Sequence, residues 1–163
     1  MNKKVVLAMS GGVDSSIAAL LLKRAGYEVH GFFMNASQKT ARKWPSSIDW
    51  RKEERDVREI CRKLGISDLF ILDCEEGYER KVISKMFKDY SRGLTPNPDI
   101  LCNSVGKFPG LLKRADAIGA DFIATGHYAR VRPAADTPTT VRAHGTTPGA
   151  YATTGPDAAY FRR

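Results

Sequence analysis

A short apolar run, Val5-Val6-Leu7-Ala8-Met9, opens directly into Ser10-Gly11-Gly12-Val13-Asp14-Ser15-Ser16, and a second apolar run, Ile17 to Leu22, follows. The first run is short and begins β-branched, so residues 4–9 read as a buried strand. The second reads as a helix over 15–25, stopped by Gly26. A strand entering a helix through two glycines brings backbone N–H groups and a helix N-terminus, all partially positive, to one spot. That spot suits an anion, and a phosphate above all. Gly11 and Gly12 allow a close approach that a side chain would block. Ser10, Ser15 and Ser16 add hydroxyl donors. Asp14 would repel a phosphate, so it fits either as a ligand for a magnesium ion bridging phosphates or as an N-cap. The string is neither a Walker A loop nor G-x-G-x-x-G. An ordinary strand-to-helix turn is the competing reading.

The same alternation runs on down the chain. Val29–Phe33 reads as a second strand, and polar residues 35–51, with Pro45 and two tryptophans, as a long loop. Residues 52–64 place Val57, Ile60, Cys61 and Leu64 on one helical face. Leu69–Leu72 reads as a third strand. Residues 76–91 read as an amphipathic helix carrying Val82, Ile83, Met86, Phe87 and Tyr90. A helix over 110–118, ended by Gly119, leads to a fourth strand at 121–125. Strands alternating with helices predict an α/β, Rossmann-like fold: a parallel sheet with helices on both faces. Ligands in such sheets bind beyond the carboxyl ends of the strands. Ser10-Gly11-Gly12, Met34-Asn35, Asp73 and Gly126-His127 all fall there.

Bulk properties narrow the class. The chain has 163 residues, of which 42% are hydrophobic, enough for one packed domain. The net charge of +8 suits a polyanion such as nucleic acid. Three cysteines, none in a C-x-x-C pair, argue against a disulfide framework or a complete zinc site. No segment has the length of a signal peptide or a membrane span. A reducing cytoplasm is the expected location. Nineteen of the 25 residues over 133–157 are Ala, Pro, Thr or Gly. Such a stretch buries too little apolar surface to offset its ordering entropy, so 133–163 reads as a flexible tail.

"TPNPDILCN", residues 95–103, is the second informative stretch. Two prolines keep the chain stiff and extended ahead of Asp99. If a helical turn starts there, Asp99 and Cys102 share a face. A thiol in a polar, proline-braced loop differs from Cys61, on an apolar helix face, and Cys74, at a strand end, which both read as structural. The carboxylate disfavours a thiolate, so Asp99 suits the role of proton acceptor better than that of activator.

Ser10-Gly11-Gly12-Val13-Asp14-Ser15 resembles the PP-loop of the ATP pyrophosphatases, whose fold is adenine nucleotide alpha hydrolase-like. Together with "TPNPDILCN", Lys107-Phe108 and "GADFIATGHYAR" at 119–130, it closely resembles the tRNA-specific 2-thiouridylase family over about residues 4–132. The resemblance implies an ATP-binding, adenylating domain over 1–132, and a tRNA-uridine 2-sulfurtransferase that thiolates the wobble uridine. It implies ATP contacts at Ser10, Gly11, Gly12, Asp14, Ser15, Met34 and Gly126, with magnesium at Asp14. It makes Cys102 the nucleophile and Asp99 the catalytic acid/base. Lys107, His127 and Arg130 become candidate phosphate or tRNA contacts, although His127 reads equally well as a structural histidine. The implied chemistry has two steps. ATP adenylates the uridine O2, and a persulfide sulfur, delivered by a relay protein, then attacks C2.

The match breaks in three places. Family members are more than twice this length and continue into a central domain and a C-terminal barrel. The family's second catalytic cysteine lies downstream, and no cysteine follows Cys102 here. "NSVGKF" lacks a lysine that relatives often carry. The chain therefore reads as an N-terminal domain, truncated or divergent, expected to adenylate but not to turn over alone. A partner chain supplying the missing domains is one expectation. Two further function classes compete: another PP-loop synthetase forming amides, which has no use for the cysteine, and a non-catalytic nucleotide- or tRNA-binding module.

Overall fold

A computed structural model describes residues 2–35 and 49–127, the side chains of 75 and 76 apart, together with the backbone of 152–155 and 158–162. Strands β1 (Lys4–Ala8), β2 (Glu28–Asn35), β3 (Leu69–Asp73) and β4 (Phe122–Thr125) form a parallel sheet in the order β3-β2-β1-β4. Helices α1 (Val13–Arg24) and α2 (Trp50–Leu64) lie on one face, and α6 (Phe108–Ile118) on the other. Between β3 and α6 run α3 (Glu75–Tyr78), a π-helical turn (Glu79–Ile83), α4 (Ser84–Tyr90), α5 (Pro98–Cys102) and a second π-helical turn (Asn103–Lys107).

The two-residue period of β1 sorts its side chains between two cores. Val5, Leu7 and Met9 pack with Ala18, Ala19, Leu22, Val57 and Cys61 under α1 and α2. Val6 points the other way, to Phe32, Leu111, Ala115 and Ile123 under α6. A central strand buried on both faces must be apolar throughout, and that is why 4–9 carries no alternation. Each fully buried Val, Leu or Phe contributes about 1.5–3 kcal/mol by leaving water. The anticipated stop signals act at α1 and α6, whose ends are followed by Gly26 at φ +84° and Gly119 at φ +62°.

Three readings change. The helix over 76–91 is interrupted by the π-helical turn, and of its five apolar positions only Val82 is buried, while Tyr90 is 54% exposed. One extra residue in the turn rotates the remainder of the helix by about 100°, which takes the downstream apolar face off the sheet. Secondly, Asp14 is not an N-cap. Gly12 holds that position in extended backbone, and Asp14 lies in the first turn of α1. Thirdly, the segment around Cys102 is helical rather than a loop. Asn97 caps it, Oδ1 accepting from the N–H groups of Asp99 at 3.1 Å and Ile100 at 3.3 Å.

Within the stretch read as a tail, β5 (Ala152–Gly155) and β6 (Ala158–Arg162) carry backbone pairing, β6 running antiparallel to β4 and β5 antiparallel to β6. An antiparallel edge can form by backbone hydrogen bonding without the apolar side chains that the composition lacks. The rest of 133–163 lies outside the described residues, as do 36–48 of the expected long loop. Among the described residues no helix is long and apolar enough to cross a membrane.

Candidate functional site

The carboxyl ends of β1, β2 and β4 open into a cavity of about 520 Å³. Its floor is the turn between β1 and α1. Gly11 takes φ +80°, a left-handed conformation open to glycine and strained for other residues. Ser10 and Ser15 tie the turn together. Ser15 Oγ accepts from the Ser10 N–H at 3.2 Å and lies 3.2 Å from Ser10 Oγ, which itself accepts from the Gly12 N–H at 3.3 Å. Ser16 Oγ donates to the Gly12 carbonyl at 2.7 Å. Ser15, at the centre of this network, is 4% exposed.

Gly126 closes the floor from β4. A Cβ there would stand 2.8 Å from the Ser15 backbone nitrogen. Only glycine lets the end of β4 approach the turn so closely. Beside it, Thr125 Oγ1 lies 2.8 Å from His127 Nδ1. The His127 ring stacks on Phe108, centroids 6.1 Å apart. Although His127 as a residue is exposed, desolvation of its ring, followed by the Lys107 cation, lowers its pKa. The ring is therefore neutral at pH 7 and can accept or donate a hydrogen bond.

α5 and the turn after it also line the cavity, contributing Cys102 and Lys107. Cys102 is half-buried, not an exposed thiol as its loop reading would have it. Burial raises its pKa most; Lys107 pulls it down and Asp99 pushes it up. Cys74 stands near enough for its thiol to be affected by Cys102, and burial with that neighbour pushes it up to about 11. Its Sγ donates to the Asn35 carbonyl at 3.3 Å. Cys61 is buried beside Met9, with Sγ 3.5 Å from Sδ.

Of the residues singled out from sequence, Ser10, Asp14, Ser15, Met34, Cys102, Lys107, Gly126 and His127 line this one cavity. Gly11 and Gly12 shape its floor without lining it. Asp99 is exposed on α5, in the first turn of the helix that ends at Cys102, and is outside the lining. Arg130 lies outside the described residues. Sequence reasoning missed Thr125, Phe32 and Phe33, which the strand-end rule reaches, and Trp50 and Glu53, which it does not. The last two sit at the start of α2, and no motif ties that helix to the strand ends. Asp14 and Glu53 are the carboxylates of the lining, oxygen donors of the kind a hard divalent ion takes.

Comparison with known proteins adds the family. The family model described as "tRNA methyl transferase HUP domain" matches residues 3–147. The tRNA-specific 2-thiouridylase MnmA of Methylobacillus flagellatus is 47% identical over 134 residues, 81% of this chain and 36% of that protein. Those of Christiangramia forsetii and Bacillus thuringiensis are 44% identical over 128 residues and 45% identical over 136 residues. They align with 78% and 80% of this chain, which covers 32% and 36% of those proteins. The chain thus spans about a third of the length of the curated relatives it matches.

Proposed function

Because the chain belongs to the family described as the tRNA methyl transferase HUP domain, we propose that it is the ATP-binding, adenylating unit of a tRNA-uridine 2-sulfurtransferase. The observation that carries the proposal is the cavity itself: a phosphate-type turn and a thiol line it together. ATP phosphates sit on the β1–α1 turn, where the N–H groups and the start of α1 meet their charge. Met34 and Gly126 border the nucleotide. A magnesium ion, held at Asp14, neutralises phosphate oxygens when bound.

The first step joins the uridine O2 to the α-phosphorus of ATP, breaks the α–β bond and releases pyrophosphate. In the second, the outer sulfur of a persulfide on Cys102 attacks C2 and expels AMP; a second thiolate then attacks Cys102 Sγ, forming a disulfide with it and breaking the S–S bond, which leaves the sulfur on C2 as 2-thiouridine. Lys107 favours the Cys102 thiolate, and Asp99 accepts its proton. His127 serves as a neutral hydrogen-bonding group at the phosphate side, and Arg130 as a tRNA contact. A relay protein supplies the persulfide, and domains beyond 1–132 complete tRNA binding in the cytoplasm. An amide-forming synthetase has no use for a thiol on this wall, which favours sulfur transfer.

Calorimetry with ATP tests the nucleotide site. Binding should need magnesium, and Asp14→Ala should weaken it at least about tenfold, or 1.4 kcal/mol. Equal affinity in the variant, with and without magnesium, contradicts the assigned role.

A further inference from the structure

All three cysteines carry free thiols, and two of them converge. Cys74 follows β3 and opens the helical segment at 75–78, where its carbonyl accepts from the Tyr78 N–H at 2.7 Å. Its own N–H donates to the Asn35 carbonyl at 3.1 Å, and its Sγ lies 3.3 Å from the same oxygen. Cys74 is thereby pinned to the end of β2. Cys102 comes to that strand end from α5. It lines the cavity with Met34, the neighbour of Asn35, and a Cβ on Gly106, in the turn after it, would stand 3.7 Å from Met34 Sδ. α5 also packs on the π-helical turn that begins directly after Tyr78. Electrostatics agree with this placement. Burial raises the pKa of Cys74 most, and the charge of Cys102 comes next. Tyr78 is raised by burial first, then by Cys102, Asp99 and Cys74, so one phenol feels both sulfurs. Cys61 is the contrast. It is buried beside Met9; burial raises its pKa, Arg58 lowers it, and neither other thiol contributes.

The pair is asymmetric. Cys102 lines the cavity and has Lys107 to favour its thiolate, whereas Cys74 is outside the lining. An oxidant entering the cavity therefore meets Cys102 first. We propose that Cys74 and Cys102 are a redox pair, which a peroxide joins in a disulfide, removing the cavity thiol from sulfur transfer until a reducing thiol restores it. The Cys102 thiolate attacks one peroxide oxygen and the O–O bond breaks. Cys102 becomes a sulfenic acid, and the hydroxide that leaves takes up the thiol proton as water. The Cys74 sulfur, giving up its proton, then attacks Cys102 Sγ. The S–S bond forms, the S–O bond breaks and a second water leaves. The two sulfurs lose one electron each, and the peroxide takes both. Thiol–disulfide exchange with a reduced dithiol reverses the bridge. Without Cys74 the sulfenic acid stays open to further oxidation, to a sulfinic acid that thiols do not reverse. The neighbouring thiol thus protects the nucleophile while silencing it. The bridge stands on the geometry alone; its consequence for sulfur transfer rests on the reading above.

The test treats the full chain, reduced and then freed of reductant, with hydrogen peroxide, blocks the remaining thiols and digests it with trypsin under non-reducing conditions. Peptides 64–80 and 93–107, which carry Cys74 and Cys102, should appear joined, and dithiothreitol should separate them. The variant C61S should give the same joined pair. In C74S, dimedone should trap a sulfenic acid at Cys102 at least about fivefold more than in the parent, and sulfinic acid should accumulate there. Circular dichroism confirms that both variants are folded. Cys102 joined to Cys61, a bridge confined to linked dimers of the chain, or equal dimedone trapping in parent and C74S overturns the proposal. Calorimetry with ATP separates the two readings. A parent that forms the bridge but binds no ATP overturns the adenylation reading alone, and one that binds ATP but forms no bridge overturns the redox pair alone.

Discussion

Cys102 stands between two opposed charges, and its reactivity tracks their balance. Lys107 stabilises the thiolate, Asp99 destabilises it, and burial destabilises it most. The thiol is therefore protonated at pH 7, and its alkylation by iodoacetamide should climb with pH to a midpoint above the usual thiol range. Lys107→Ala removes the one stabilising charge, so the pKa moves further up and labelling at pH 8 slows, by about two- to fivefold for a partly screened neighbour. Asp99→Asn should do the reverse. Mass spectrometry of the labelled peptides reads both, and Cys61, buried on the inner face of α2, should label last. Faster labelling of K107A contradicts the balance. The proline-braced motif in the sequence drew attention to Cys102, which lines the cavity, and to Asp99, which does not. It did not reveal the half-burial, because that depends on how α5 packs against a turn 20 residues upstream.

At the scale of elements, the site is held by one close approach between β4 and the β1–α1 turn. Gly126→Ala would place a methyl group 2.8 Å from the Ser15 nitrogen. Backbone on both sides must then move apart. ATP affinity should fall at least about tenfold, which is 1.4 kcal/mol. Substitution of Asn97 by Ala removes a cap that serves two N–H groups and should cost about 0.5–2 kcal/mol of stability. Calorimetry with ATP reads the first variant and chemical denaturation the second, and unchanged ATP affinity in G126A contradicts the role of the contact. The strand–turn–helix element was readable from residues 4–22, since apolar run, glycines and apolar run admit few alternatives. The helical character of 76–91 was legible, but its interruption was not, because apolar periodicity shows an amphipathic face without showing what covers it, and a π-helical turn leaves no mark in that periodicity.

Across the whole molecule, two cores on opposite faces of one sheet hold the cavity's three strand ends in register. Leu111 is fully buried in the core beneath α6. Its replacement by Ala should cost about 2–5 kcal/mol, and thermal unfolding should shift accordingly; a negligible shift would show that α6 is not held by this core. That the first four strands run parallel was legible from alternation; their order, β3-β2-β1-β4, was not. The pairing of β6 with β4 was not, because backbone pairing at a sheet edge asks little of composition. The central claim is that this cavity cleaves ATP between its α and β phosphates onto RNA. The most direct measurement incubates the chain with ATP labelled at the α-phosphorus, magnesium and unmodified tRNA. Pyrophosphate and label on the tRNA are the expected products, in equal amounts, because no persulfide is present to expel the AMP. Release of ADP and phosphate, or no tRNA-dependent cleavage at all, would contradict the claim.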